Sequence, residues 1–318
     1  MSDIKLFRVG STSVQELEGR SAAVEKSIQT LIEQHLDAFL GVRFLATEYA
    51  TGKTHGGRID SLGIDENNCP VIIEYKRSIN ENVINQGLFY LDWLLDHKAE
   101  FQLLVMRKIG AEVAEGIDWR GTRLMCIAGD FTRYDQHAVQ QINRSIELIR
   151  YRQYDHELLL LELVNATTAT AAAGGWAATA AGNGFVAGDS GGSPKKSKSA
   201  YKTVGEYLAQ SPDTLKDLFG QLQAFLLALG DDVQLKELQY YFAYKRIKNF
   251  ACVEVHPANG QLLVFVKVNP DSVTLEPGFS RDVRTIGHFG TGDLELRLSS
   301  AADLEKAKPY LLTSYEGS

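Results

Sequence analysis

Asp60, Glu74 and Lys76 are the residues whose types and spacing carry the most chemistry in this chain. Asp60 closes the segment Gly57-Arg58-Ile59-Asp60, and Glu74 and Lys76 end the largely apolar run Val71-Ile72-Ile73-Glu74-Tyr75-Lys76. A strand turns successive side chains to opposite faces, so Glu74 and Lys76 share one face while Ile73 and Tyr75 share the other. Two neighbouring strands joined by the turn Asp65-Glu66-Asn67-Asn68 would gather two carboxylates and an ammonium at one spot. Carboxylate oxygens completed by water and substrate phosphate suit a hard divalent ion such as Mg²⁺, with Mn²⁺ as a substitute. Such an ion polarises a phosphate, stabilises charge on the leaving oxygen and lowers the pKa of a bound water. The ammonium would orient or deprotonate that water, or stabilise charge on the phosphorane, and the residue types leave these roles open. An Asp followed by Glu-x-Lys also arises from a plain salt bridge at a strand end. Val71-Ile72-Ile73, however, is apolar on both faces and marks a central strand, where converging charges need a reason to be present.

The elements around these residues read as α/β. Apolar residues at Val24, Ile28, Leu31, Ile32, Leu36 and Phe39 give helical spacing over Ser21–Leu40, closed by Gly41. Strand patterns follow at Val42–Ala50, Arg58–Ile64 and Val71–Tyr75, and a helix at Asn82–His97. Phe101–Met106 reads as a buried strand by its length and apolarity. Short connections make the three strands an antiparallel meander, and a crossover helix places the next strand parallel. Further on come a strand at Arg123–Ala128, a helix at Tyr134–Arg144, and strands at Ile146–Tyr151 and Leu158–Val164.

These residues resemble the PD-(D/E)xK, restriction-endonuclease-like, nuclease superfamily, and within it the NucS and RecB-like branch. The resemblance covers roughly residues 21–106. It rests on Gly57–Asp60, on Ile73-Glu74-Tyr75-Lys76, on Gln86-Gly87-Leu88-Phe89-Tyr90 as a Q-x-x-x-Y element, and on the order helix, three strands, helix, strand. Ile59 stands where the superfamily carries proline before its first Asp. The resemblance implies a restriction-endonuclease-like core with a mixed central sheet, hydrolysing DNA phosphodiester bonds in DNA repair or phage defence. By position, Asp60 and Glu74 become metal ligands, Lys76 the catalytic lysine, and Gln86 and Tyr90 groups that support the site or touch the DNA backbone. A further acid from the first helix would be Glu25, or else Glu33.

Composition sets the frame. The 318 residues carry 33 Lys+Arg against 40 Asp+Glu, a formal charge of -7, which weighs mildly against a DNA partner without excluding a local basic patch. No apolar run is long enough to span a membrane, and the first residues lack the apolar core of a signal peptide, so a cytoplasmic protein is expected. Cys69, Cys126 and Cys252 are far apart with no CxxC, which argues against structural zinc or a disulfide framework. The Ala-, Gly-, Ser- and Thr-rich stretch 166–200 reads as a flexible linker between a domain at 1–165 and another at 201–318.

The second domain reads as a small α+β unit. Helices are expected at Val204–Ala209 and Thr214–Leu229, a hairpin at Val253–Val255 and Leu262–Val268, a strand at Leu294–Leu298, and a closing helix from Ala301. Tyr240–Phe250 interleaves aromatic and cationic residues. Its aromatics read as the buried face of a helix, and Lys245, Arg246 and Lys248 as phosphate contacts. Arg58 and Arg77, flanking the acidic cluster, are further candidates for DNA phosphates. Gly287–Asp293 is glycine-rich but lacks the Gly-Lys-[Ser/Thr] of a P-loop. From about Thr203 the chain resembles a domain of unknown function, the DUF5655 type, found fused to such nucleases; this implies an architecture and almost no function. Cutting two strands suggests a homodimer. The alternative to a nuclease is a non-catalytic nucleic-acid-binding or sensor protein on the same fold.

Overall fold

The computed structural model describes residues 4–22, 25–52, 56–76, 83–155, 157–167 and 202–318. These form a mixed α/β fold with a central mixed sheet, followed by a second unit built on an antiparallel sheet. The linker expected over 166–200 lies outside the described residues, apart from Ala166 and Thr167, which end a strand.

The first unit opens with β1 (Leu6–Val9), β2 (Val14–Leu17) and β3 (Gly19–Arg20). Then come α1 (Glu25–Gln34), α2 (Leu36–Leu40), β4 (Val42–Ala50), β5 (Arg58–Asp65), β6 (Pro70–Lys76) and α3 (Val83–Asp96). The unit continues through α4 (Lys98–Lys108), α5 (Ala111–Glu115), β7 (Arg123–Ala128), α6 (Arg133–Gln140), β8 (Ile146–Tyr154) and β9 (Leu158–Thr167). The sheet runs β3-β8-β7-β6-β5-β4, with β9 on the other side of β8. β4, β5 and β6 are the expected antiparallel meander, and β6 pairs parallel with β7.

The strand expected at Phe101–Met106 is corrected: it lies inside α4. Phe101 and Val105, four apart, face the core, while Leu103 and Met106 stay exposed, which is helical spacing hidden in a short apolar run. Glu100 in the first turn and Arg107 and Lys108 in the last complement the helix dipole. The parallel partner of β6 is therefore β7.

Alternation along β6 decides what lies on each side of the sheet. Val71, Ile73 and Tyr75 pack with Ile28, Ile32 and Leu36 of α1 and α2. Ile72 packs on the opposite side with Leu91 and Leu94 of α3. The two layers bury β6 completely except near its end, at Lys76.

The second unit contains α7 (Val204–Ala209), α8 (Asp213–Leu227), β10 (Gln234–Glu237), β11 (Phe242–Lys245), β12 (Asn249–His256), β13 (Gln261–Val266), β14 (Ser280–Asp282), β15 (Leu294–Leu298) and α9 (Ala301–Glu316). Its sheet order is β10-β11-β12-β13-β15-β14, antiparallel throughout. The helix expected for the aromatics of 240–250 is also corrected: β11 and the start of β12 occupy this stretch. Phe242 and Tyr244 point to the helical layer, while Ala243 points the other way, a period of two.

The units meet at the β5–β6 turn. Tyr241 Oη donates to Asn67 Oδ1 at 2.7 Å, and Asn249 Nδ2 donates to the same oxygen at 2.6 Å. Glu66 accepts from the Asn249 backbone N–H at 3.0 Å and pairs with Lys267. Beside the turn, Arg123 pairs with Asp65, and Lys245 reaches Glu147 at 2.7 Å, with all four side chains at most 2% exposed. Burial alone would raise the Glu147 carboxyl, but Lys245, Arg123 and Lys236 outweigh it and hold it at about 2.

Candidate active site

Because β5 and β6 are antiparallel, Asp60 near the start of one lies beside Glu74 near the end of the other. One hydrogen bond joins the two, and a second ties Asp60 to the residue after Glu74. The Asp60 backbone N–H donates to Glu74 Oε1 at 3.2 Å, and the Tyr75 N–H donates to Asp60 Oδ2 at 3.0 Å. Glu74 is 0% exposed, and its Oε2 is buried without a hydrogen-bond partner. Burial, and then the neighbouring Asp60 carboxylate, push Glu74 up to about 9. Burial likewise raises Asp60, against the pull of the Tyr75 N–H and Lys76. Two carboxyl groups taken out of water with so little compensation are poised to take up a cation.

Lys76, at the end of β6, places Nζ 3.3 Å from Glu25 Oε1. Glu25 is thus brought to the lysine. Glu33 accepts from Ser61 Oγ at 2.6 Å and from Gln29 Nε2 at 2.9 Å. Among the described residues, no three acids, histidines or cysteines are grouped closely enough to hold a metal by themselves. The Asp60–Glu74 pair nevertheless suits a divalent ion that keeps several waters and takes phosphate oxygens, since Glu74 Oε2 has an unused lone pair facing no donor.

α3 anchors the other side. Tyr90 Oη accepts from the Arg58 backbone N–H at 3.2 Å and from Gln86 Nε2 at 3.3 Å. Gln86 and Tyr90, one helical turn apart, therefore hold the beginning of β5 in place. Gly57 makes this approach feasible, since a Cβ there would lie 2.6 Å from the Tyr90 ring. The Arg58 side chain is largely exposed, with Nε 3.6 Å from Glu48 Oε2. Arg77 lies outside the described residues.

Sequence reasoning missed Gln29. It is 3% exposed and donates to the Asp60 carbonyl at 2.8 Å, to Glu33, and to Thr47 Oγ1 at 3.3 Å, while Lys26 donates to its Oε1 at 3.1 Å. Glu25, Gln29 and Glu33 form an i, i+4, i+8 stripe on α1, aimed at β5 and β6. The available signal was the place of Gln29 beside Ile28 and Ile32, at the edge of the apolar arc of that helix.

The three cations proposed for the second unit are not gathered at the site. Lys245 is corrected as a phosphate contact, because it is buried against Glu147. Arg246 pairs with Asp232 at 2.7 Å and lies over the Tyr315 ring, and Lys248 donates to the Ala38 carbonyl at 3.1 Å. All three lie near the turn end of the first sheet. Asp60 and Asp65 are five strand residues apart, about 16 Å at the usual rise.

Comparison with known proteins adds two findings. Residues 204–318 match the family described as "Domain of unknown function (DUF5655)". An uncharacterized protein of Haemophilus influenzae is 25% identical over 309 residues, covering 95% of this chain and 96% of that protein. No solved structure matches the chain. Among the described residues, no helix is long and apolar enough to cross a membrane.

Proposed function

We propose that the chain is a metal-dependent endonuclease that hydrolyses DNA phosphodiester bonds, built on a restriction-endonuclease-like core and serving DNA repair or defence against foreign DNA. One observation carries the reading: Asp60 donates its backbone N–H to Glu74 and its carboxylate accepts from the Tyr75 N–H, which fixes the two acids side by side, with a buried, partnerless Glu74 oxygen and Lys76 two residues along the same strand. Mg²⁺ or Mn²⁺, when bound by Asp60 and Glu74, would polarise the scissile phosphate and acidify a water. Lys76 would place its ammonium against the attacking water or the developing phosphorane charge, oriented by Glu25. Gln29 would hold the Asp60 backbone, and Tyr90 with Gln86 the strand that carries it. The exposed Arg58 guanidinium would meet a backbone phosphate.

Incubation with plasmid, single-stranded, branched and RNA substrates in Mg²⁺ or Mn²⁺ tests this reading. Cleavage is expected, and its persistence in Glu74→Ala or Lys76→Ala would remove the assignment. The grouping of only two carboxylates among the described residues, with Glu25 turned to Lys76, favours a second reading: a non-catalytic nucleic-acid-binding or sensor protein. That protein would bind DNA in a salt-dependent way, without cutting under either ion, and would be insensitive to Asp60→Asn.

A further inference from the structure

The second unit carries an open, mostly apolar cleft of about 430 Å³, lined entirely by residues of that unit. Its walls include Tyr207 of α7, Tyr240 in the turn between β10 and β11, Val255 of β12, and Phe289 in the glycine-rich loop that leads to β15. A volume of this size suits a nucleoside-sized ligand.

The loop bearing Phe289 is held at several points. Its backbone N–H donates to Glu254 Oε1 at 3.1 Å, and the Thr291 N–H meets Cys252 Sγ at 3.4 Å. The His288 ring stacks on Phe265 with centroids 4.3 Å apart. Gly290 has φ +83°, and a Cβ there would lie 2.6 Å from Cys252 Cβ, so glycine lets the loop press onto β12. A loop fixed this closely still leaves Phe289 49% exposed. Phe289 stacks on Tyr240 with centroids 4.5 Å apart and planes 28° apart, so the cleft is lined by an aromatic stack whose outer face can serve as a platform for a further ring.

The polar groups at the cleft fall into a pattern. His256 Nε2 is 2.8 Å from Glu254 Oε2, so the carboxylate orients the imidazole and leaves Nδ1 without a hydrogen-bond partner among the described residues. The Asn259 carboxamide, a paired donor and acceptor, follows three residues on, and Lys202 also lines the cleft, its ammonium donating to Gln210 Oε1. A stacking platform, an oriented imidazole, a carboxamide and one cation are the groups that recognise a planar heterocycle with hydrogen-bonding edges and an attached phosphate.

We propose that this cleft binds a nucleobase with its phosphate, the base stacked on the Phe289–Tyr240 platform, its edge met by His256 and Asn259, and its phosphate by Lys202. The same chemistry is offered by a free nucleotide and by an unpaired base of a single strand. The proposal stands apart from the cleavage reading, because it invokes none of the residues around Asp60.

Calorimetric titration of the full chain in EDTA, with the four nucleosides, their 5′-monophosphates, and short single-stranded and duplex oligonucleotides, tests it. Saturable binding is expected. Phe289→Ala and Tyr240→Ala should each weaken it about tenfold or more, with melting temperatures close to wild type, since both rings are partly exposed. Lys202→Ala should weaken nucleotides but not the matching nucleosides. Binding of the single strand well above the mononucleotide and the duplex assigns the site to nucleic acid, and the reverse order assigns it to a free nucleotide. Absence of binding by every probe to millimolar concentration would overturn the proposal, as would binding that both aromatic variants leave unchanged.

Discussion

Replacing Glu74 by Gln should make the metal-free protein more stable at neutral pH. The folded carboxyl is pushed to about 9 by burial and Asp60, from an ordinary value of 4.5. Between those values the folded state holds a proton that the unfolded state has released, so stability falls as pH rises through that window. At about pH 7.5 the gap from 4.5 is about three pH units, which at about 1.36 kcal/mol each caps the penalty near about 4 kcal/mol. Structural relaxation in the folded protein lowers this, leaving an expected gain of about 1–3 kcal/mol for the Gln variant. Gln keeps the shape of the protonated acid and carries no ionisation to suppress. Urea unfolding of both proteins in EDTA, from pH 5 to 8.5, should show curves that nearly meet at the acid end and separate steadily toward the alkaline end. Added Mg²⁺ should restore the wild type by about 2.7 kcal/mol at a hundredfold excess over Kd and leave Glu74→Gln unmoved. A stability difference that is flat in pH, or that shrinks as pH rises, would refute the buried-pair argument. An equal Mg²⁺ response in both proteins would refute the metal assignment.

Three further outcomes follow from the geometry. Lys76→Ala should lower cleavage by about 10²–10⁴-fold while leaving the Mg²⁺-induced rise in melting temperature intact, because the lysine acts on the reacting groups and Asp60 and Glu74 hold the ion. Lys245→Met should cost about 1–3 kcal/mol in urea unfolding by removing the hydrogen bond to buried Glu147, which keeps Arg123 Nε at 3.2 Å as its remaining cation. Gly290→Ala should cost about 2–3 kcal/mol through its positive φ and the contact with Cys252, and limited proteolysis should then cut the loop around Phe289 faster.

The meander and the pair it carries were legible because their signals are local. Alternation on β6, the polar turn after Asp65 and the central apolar run suffice to place Asp60 beside Glu74 and Lys76 one face-step away. The apolar run at Phe101–Met106 was ambiguous because six residues are too few to separate a period of 2 from one of 3.6, and the charges that resolve it lie at Glu100, Arg107 and Lys108. Lys245 was misread for another reason. A lysine followed by Arg246 and Lys248 reads as part of a solvated basic run, and only the distant Glu147, 98 residues earlier, reveals that it is buried. Gln29 was missed because a polar residue next to two glutamates on a helix looks like part of a wet face, although its neighbours Ile28 and Ile32 are fully buried. The meeting of Tyr241 and Asn249 with Asn67 involves partners more than 170 residues apart, which no local pattern records.

The ionic seam between the units bears on how the molecule would come apart. Parting two oily faces leaves both of them adhesive, and the usual sequel is clumping. Here the first unit would instead uncover Asp65, Glu66, Arg123 and Glu147, each able to recover a shell of water. Opening would therefore wet the first unit's side of the seam, while the second unit would bare Leu238 and Tyr241, which cluster with Cys69, so salt should ease the parting and leave one adhesive face. Small-angle scattering at rising ionic strength would register this as a larger radius of gyration at unchanged mass.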